Sequence, residues 1–143
     1  MESHLTDITH VIQLAVAPVF LLTAVSTLIT ALNNRLGRIV DRRRVVEKSL
    51  QAVADQPAEL TTELVSLYRR TRLIYFAIFS AVLGALMVCL VVASAFLGAL
   101  LAIDLARLVA VLFIAAMLAL VVCLSLFLRE VFLAVTRGGH AIR

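Results

Sequence analysis

The side chains best suited to chemistry are the hydroxyls and amides of the first long apolar stretch. At about 100° of rotation per residue, six of them fall on one face of a helix, the polar face. The polar face consists of Thr23, Ser26, Thr27, Thr30, Asn33 and Asn34. The hydroxyls of such a face bond to carbonyls of their own helix or join neighbouring helices, or else the face lines a hydrated path. Groups without fixed charge can replace part of an ion's hydration shell, but they give no strong charge selectivity.

Arginines are the second group of residues with chemical potential. Five of them follow the first apolar stretch: Arg35, Arg38, Arg42, Arg43 and Arg44. They are candidates for contact with anionic lipid headgroups or an acidic protein partner, at about 1 kcal/mol per cation near a membrane surface. The alternative is a solvated face that only sets membrane topology. Aromatic residues are not interleaved with them, so we expect no nucleic-acid partner.

Recognisable catalytic motifs are missing from the sequence, which has no Walker loop, no G-x-S-x-G and no H-E-x-x-H. His4, Asp7 and His10 have a spacing that could hold a metal ion, but they lie on a short terminal flank. Cys89 and Cys123 lie in apolar runs without ligand spacing, which predicts buried small hydrophobes. We therefore expect no enzymatic activity, no metal and no cofactor.

Composition defines the elements that must position these residues. Of 143 residues, 63% are apolar and only 15% are charged, against about 25% charged in soluble domains. Three long apolar stretches have no acidic or basic residue in their cores, and each reaches the ~20 residues needed to cross ~30 Å of hydrocarbon. The sequence therefore predicts an all-α membrane protein, a single domain over residues 1–143, with spans at about 8–34, 73–98 and 105–128.

The segment between the first two spans, about residues 35–72, is predicted to be an αα-hairpin. Its apolar residues recur at spacings of three, four and seven on both sides of Asp55-Gln56-Pro57. Proline suits the first position of a helix and disfavours the helical conformation in the residue before it. The two arms are expected to continue the first and second membrane helices without a break.

An antiparallel hairpin predicts ion pairs between its arms. Folding about the turn places Asp41 opposite Arg69 or Arg70, and Lys48 opposite Glu63. Exposed pairs of this kind contribute only ~0–1 kcal/mol each. They would set the register of the hairpin more than its stability.

The distribution of charge predicts the orientation. Nine cations and five acids lie between Asn34 and Arg72, whereas the amino-terminal flank has no cation. Cytoplasmic loops carry the excess of Lys and Arg. We therefore expect the hairpin and the carboxyl terminus in the cytoplasm and the amino terminus outside.

Three smaller features bear on how the helices pack. Pro18 predicts a kink in the first span, static or acting as a hinge. The pattern Ser80-x-x-x-Gly84 allows another helix to approach closely, within the subunit or between subunits. Asp104 is expected to cap the third helix, with Arg107 as its ion-pair partner.

Three segments of the chain resemble a bacterial family of small three-span membrane proteins known only as a domain of unknown function. They are IQLAVAPVFLL at 12–22, NRLGRIVDR at 34–42 and RRTRLI at 69–74. The resemblance covers nearly the whole chain and implies a multi-pass protein of the bacterial inner membrane, but no activity. The topology is also loosely similar to the smallest Oxa1-type insertases, whose hydrophilic groove receives a client helix.

Two functional hypotheses remain open from the sequence. In the first, the protein self-associates in the lipid bilayer and forms a pore or permeation path lined by the polar face. Several subunits would be needed, because three spans seldom enclose a path. In the second, the protein is a membrane scaffold or insertase-like module that acts through its basic hairpin.

Overall fold

The computed structural model of the protein describes residues 2–52 and 57–138. They form three helices: α1 (Glu2–Ala52), α2 (Pro57–Leu101) and α3 (Ala106–Gly138). Each helix contains a stretch long and apolar enough to cross a membrane. The predicted all-α fold with three membrane-length helices is therefore confirmed.

Helices α1 and α2 continue through the segment predicted to be a hairpin. Helix α1 also passes through Pro18 without interruption. The predicted turn falls on residues 53–56, which lie outside the described residues. Helix α2 begins at Pro57, as expected from the preference of proline for the first helical position.

Two local hydrogen bonds shape the link between α2 and α3, one at each of its ends. Ala102 adopts a left-handed conformation, with φ 50°, and the Ile103 amide donates to the Gly98 carbonyl at 3.1 Å, which together end α2. The Asp104 carboxylate accepts a hydrogen bond from the Ala106 amide at 3.0 Å, which confirms the predicted cap of α3. In the described part of the chain no ion pair joins Asp104 to Arg107.

The chain divides into two compact units. The first contains α1 up to Ile29, α2 from Ser80 and α3 up to Val121. Inside it, the Ser80 hydroxyl donates to the Ala119 carbonyl at 2.6 Å, and a Cβ at Gly84 would lie 3.2 Å from Leu120 Cδ2. These contacts show that the small residues of α2 pack against α3 within one chain.

The second unit contains α1 from Thr30, α2 up to Phe79 and α3 from Val122. Its buried residues follow a seven-residue spacing on α1, at Leu32, Ile39 and Val46, and include Ile74 of α2.

Cys123 of α3 is buried as predicted. The same prediction is wrong for Cys89 in the first unit, which is exposed because it lies on the outer side of α2.

Candidate functional site

The second unit encloses a carboxylate that sequence analysis had not singled out. Glu130 of α3 is only 1% exposed, and a charged side chain is seldom buried without a partner. Arg35 of α1 donates through Nη1 to Glu130 Oε2. Arg70 of α2 donates to Glu130 Oε1 from Nη2 at 2.8 Å and from Nε at 3.2 Å. A three-residue ion cluster therefore joins the three helices, with one residue from each.

The local sequence explains how the cluster forms. Glu130 continues a seven-residue spacing of buried positions on α3 from Cys123. The Arg35 guanidinium also lies over the Phe127 ring, 5.3 Å from its centroid, and Phe127 and Glu130 are neighbours on one face of α3 because they are three residues apart. Extending the buried stripe of α3 beyond the apolar run would have identified Glu130 as an inward-facing acid.

The cluster lies where the apolar stretches end. Arg35 directly follows the predicted first span, Arg70 shortly precedes the second and Glu130 shortly follows the third. Both arginines keep part of their side chains exposed, 37% for Arg35 and 25% for Arg70. No nucleophile was found in the cluster, and its two cations are engaged by one anion. Its chemistry is that of a fixed crosslink between three helices.

All six residues of the polar face are exposed in the single chain. Thr23 donates to the Val19 carbonyl at 3.2 Å, Ser26 to the Leu22 carbonyl at 2.9 Å, and Thr27 to the Thr23 carbonyl at 3.1 Å. These hydroxyls thus place their hydrogens on their own helix, and the remaining lone pairs of the Thr23 and Thr27 oxygens face outward.

The opposite side of α1 is buried. It carries Val25 in the first unit and Leu32, Ile39 and Val46 in the second, each seven residues after the one before. A helix with about 100° per residue places this set across the helix axis from the polar face. Within one chain, the polar face is therefore turned away from the apolar contacts that α1 makes.

The predicted ion pairs of the hairpin need correction. Glu63 accepts from Arg42 Nε at 2.8 Å, and Arg70 bonds to Glu130. In residues 2–52 and 57–138, no ion pair joins Lys48 to Glu63, or Asp41 to Arg69 or Arg70. The prediction treated the hairpin as two helices alone, whereas α3 contributes a third helix whose carboxylate takes Arg70.

The remaining candidate residues from the sequence belong neither to the ion cluster nor to the polar face. Arg38 and Arg44 are exposed on α1, as is His10. The side chains of His4 and Asp7 lie outside the described residues. Of the side chains that are described, no three His, Cys, Asp or Glu residues are grouped closely enough to hold a metal ion.

Comparison with known proteins places the chain in a family. Residues 15–138 match the model of DUF2721, described as a protein of unknown function. No curated protein and no solved structure matches the chain. The family match covers most of α1 and all of α2 and α3, and it confirms the resemblance to a small three-span family. The chain belongs to the DUF2721 family.

Proposed function

We propose that this integral membrane protein assembles into homo-oligomers through the polar face of α1. The observation that carries the proposal is the exposure of all six polar-face residues, on the side of α1 away from buried Val25 and Leu32. A face rich in hydroxyls and amides is unfavourable against lipid tails, which offer no hydrogen bonds. A second copy of the chain or a column of water would cover it.

The polar face can form hydrogen bonds with either a second copy of the chain or water. The hydroxyls of Thr23 and Thr27 donate inward and present oxygen lone pairs outward. The amides of Asn33 and Asn34 each carry two donor hydrogens and one acceptor oxygen. Two copies related by two-fold symmetry bring the same donors and acceptors face to face. Interhelical hydrogen bonds of this kind contribute about 0.6 kcal/mol each in membranes.

We further propose that several copies together surround a water-filled permeation path, lined by the part of each polar face that is not bonded to a neighbouring copy. Outward lone pairs favour hydrated cations over anions, but weakly, because the face carries no fixed charge.

The experiment compares potassium flux through liposomes that contain the wild type or a variant carrying Thr23→Val, Thr27→Val and Thr30→Val. Valine keeps the shape of threonine and removes its hydroxyl. Thr62→Val is the matched control, because Thr62 is another exposed threonine that donates to its own helix, on α2. We expect flux in the wild type and the control and its loss in the triple variant. Oligomers without flux would refute the path, and monomers without flux would refute the assembly as well.

A second candidate function is a scaffold or insertase-like module acting through the hairpin. It is favoured by Arg38 and Arg44, which are exposed and form no ion pair in the described part of the chain. Replacing residues 38–66 by a short linker should then abolish the recovery of partner proteins while membrane insertion persists. Unchanged recovery would refute this function.

We also propose that the protein resides in the bacterial inner membrane, with the hairpin and the carboxyl terminus in the cytoplasm. The nine cations between Asn34 and Arg72 support this orientation. A reporter enzyme that is active only in the cytoplasm, inserted between Val53 and Glu59, should be active. Activity of a periplasmic reporter at the same place would reverse the topology.

A further inference from the structure

A groove of about 500 Å³ opens on the second unit. Arg43 of α1 lines one side of it, and the other lining residues all come from α2: Tyr68, Arg69, Thr71, Arg72 and Tyr75. Three arginines and no acid therefore face the space. The groove is separate from the ion cluster, since none of Arg35, Arg70 and Glu130 lines it.

Thr71 gives the groove a polar group without a partner. Its side chain is 5% exposed, and its hydroxyl has no hydrogen-bond partner in the described part of the protein. Hydroxyls elsewhere, such as those of Ser49 and Thr62, donate to the carbonyl four residues before them. A buried hydroxyl that does not use this local option costs free energy unless another group bonds to it.

The arginines of the groove keep positive charge available. Arg43 lies over the Tyr68 ring, 4.8 Å from its centroid, with its Nε 3.3 Å from Glu47. Glu47 also accepts a hydrogen bond from the Tyr68 hydroxyl at 3.1 Å. Arg69 and Arg72 are exposed, and neither forms an ion pair within the described residues. Of the three arginines, only Arg43 is therefore paired with an acid in the described part of the protein.

The groove lies beside the start of the second predicted span. Arg72 directly precedes the apolar run that begins at Leu73. The chain has two tyrosines and no tryptophan, and both tyrosines line this groove. Tyrosine is enriched where a membrane meets water, because its ring is apolar and its hydroxyl is polar.

We propose that this groove binds a phosphate group at the membrane boundary. Guanidinium groups bind phosphate oxygens through charge-assisted hydrogen bonds in a planar geometry. Arg69 and Arg72 supply these bonds, and a small shift of the side chains that cover the Thr71 hydroxyl lets it donate to a further oxygen. The same chemistry is found in a phospholipid headgroup and in free phosphate, so the test separates the two sources.

The experiment uses the full-length protein in uncharged detergent micelles and follows tyrosine fluorescence. Because the only tyrosines line the groove, the emission reports binding there. Three probes are titrated: dioleoyl phosphatidic acid, dioleoylglycerol without phosphate, and inorganic phosphate. We expect saturable binding of phosphatidic acid and none of dioleoylglycerol. Stronger binding of inorganic phosphate would identify free phosphate as the source, and no response to either phosphate compound would overturn the proposal.

Variants test which residues bind. A double variant, Arg69→Gln with Arg72→Gln, should weaken phosphatidic acid binding by at least about tenfold, the equivalent of 1.4 kcal/mol. Thr71→Val should weaken phosphatidic acid binding severalfold. Thr71→Ser keeps the hydroxyl and should bind as the wild type does. The matched control for charge is a double variant, Arg38→Gln with Arg44→Gln, at exposed positions outside the groove. Equal loss in both double variants would show non-specific charge attraction and overturn the proposal.

Discussion

Glu130 shows how one buried carboxylate can organise a small membrane protein. It is the only described acid in α3, and its two oxygens are engaged by arginines from α1 and α2. Taking a charge out of water is costly, and the cost is offset only when partners of opposite charge satisfy its lone pairs. Three hydrogen bonds from two guanidiniums meet that requirement here. The cluster therefore selects one arrangement of helices in the second unit.

We predict that Glu130→Gln lowers the free energy of unfolding by about 2–3 kcal/mol. The loss is smaller than the ~3–5 kcal/mol expected for a fully buried pair, because both arginines are partly exposed. The measurement is the loss of helical circular dichroism in mixed micelles titrated with SDS.

Glu63→Gln is the matched control for this prediction. It removes one exposed pair, with Arg42, and should cost no more than ~1 kcal/mol. Equal losses of unfolding free energy for the two substitutions would show that the ion pairs of buried Glu130 stabilise the protein no more than an exposed pair does.

At the scale of elements, helix contacts in the first unit depend on small residues. A Cβ at Gly84 would lie 3.3 Å from Leu120 Cγ and 3.4 Å from the Ala116 carbonyl oxygen. The Ser80 hydroxyl bonds across to α3 one turn away. Close backbone approach and interhelical hydrogen bonds are the main sources of helix association in lipid, where water does not drive apolar surfaces together.

Gly84→Val should therefore lower the free energy of unfolding by about 1–3 kcal/mol, the usual cost of overpacking. Gly37→Val is the control, because a Cβ at Gly37 meets nothing within 4 Å. Its effect should stay within about 0.5 kcal/mol of zero, or be slightly stabilising, since valine is a better helix former than glycine. The same SDS titration measures both variants, and similar destabilisation by the two would contradict the packing described for Gly84.

The helices and their ends were largely predictable from the sequence, because each depends on residues that are close together in the chain. Apolar runs of membrane length, Pro57 at a helix start and Asp104 at a cap are each defined by a few adjacent residues. The partners of Arg70 and Glu63 were not predictable in this way, because they depend on which helices meet. The ion cluster was missed for the same reason: Glu130 lies just beyond an apolar run, where its inward orientation follows only from the seven-residue spacing of α3.

At the scale of the whole molecule, the chain has two kinds of outer surface. Large apolar side chains such as Phe20, Phe79 and Leu118 are exposed, as expected of helices whose solvent is lipid. The polar face of α1 is exposed too, although lipid tails cannot bond to it. Lipid alone can cover the first surface, whereas we propose that another copy or water covers the second.

Disulfide crosslinking in the membrane tests most directly whether the polar face meets a second copy. In a variant with Cys89→Ala and Cys123→Ala, a single cysteine is introduced as Thr27→Cys on the polar face, or as Leu118→Cys on the exposed apolar surface of α3. Self-association through α1 predicts a disulfide-linked dimer for Thr27→Cys and none for Leu118→Cys. A Thr27→Cys chain that stays monomeric under oxidation, while Leu118→Cys crosslinks, would contradict it.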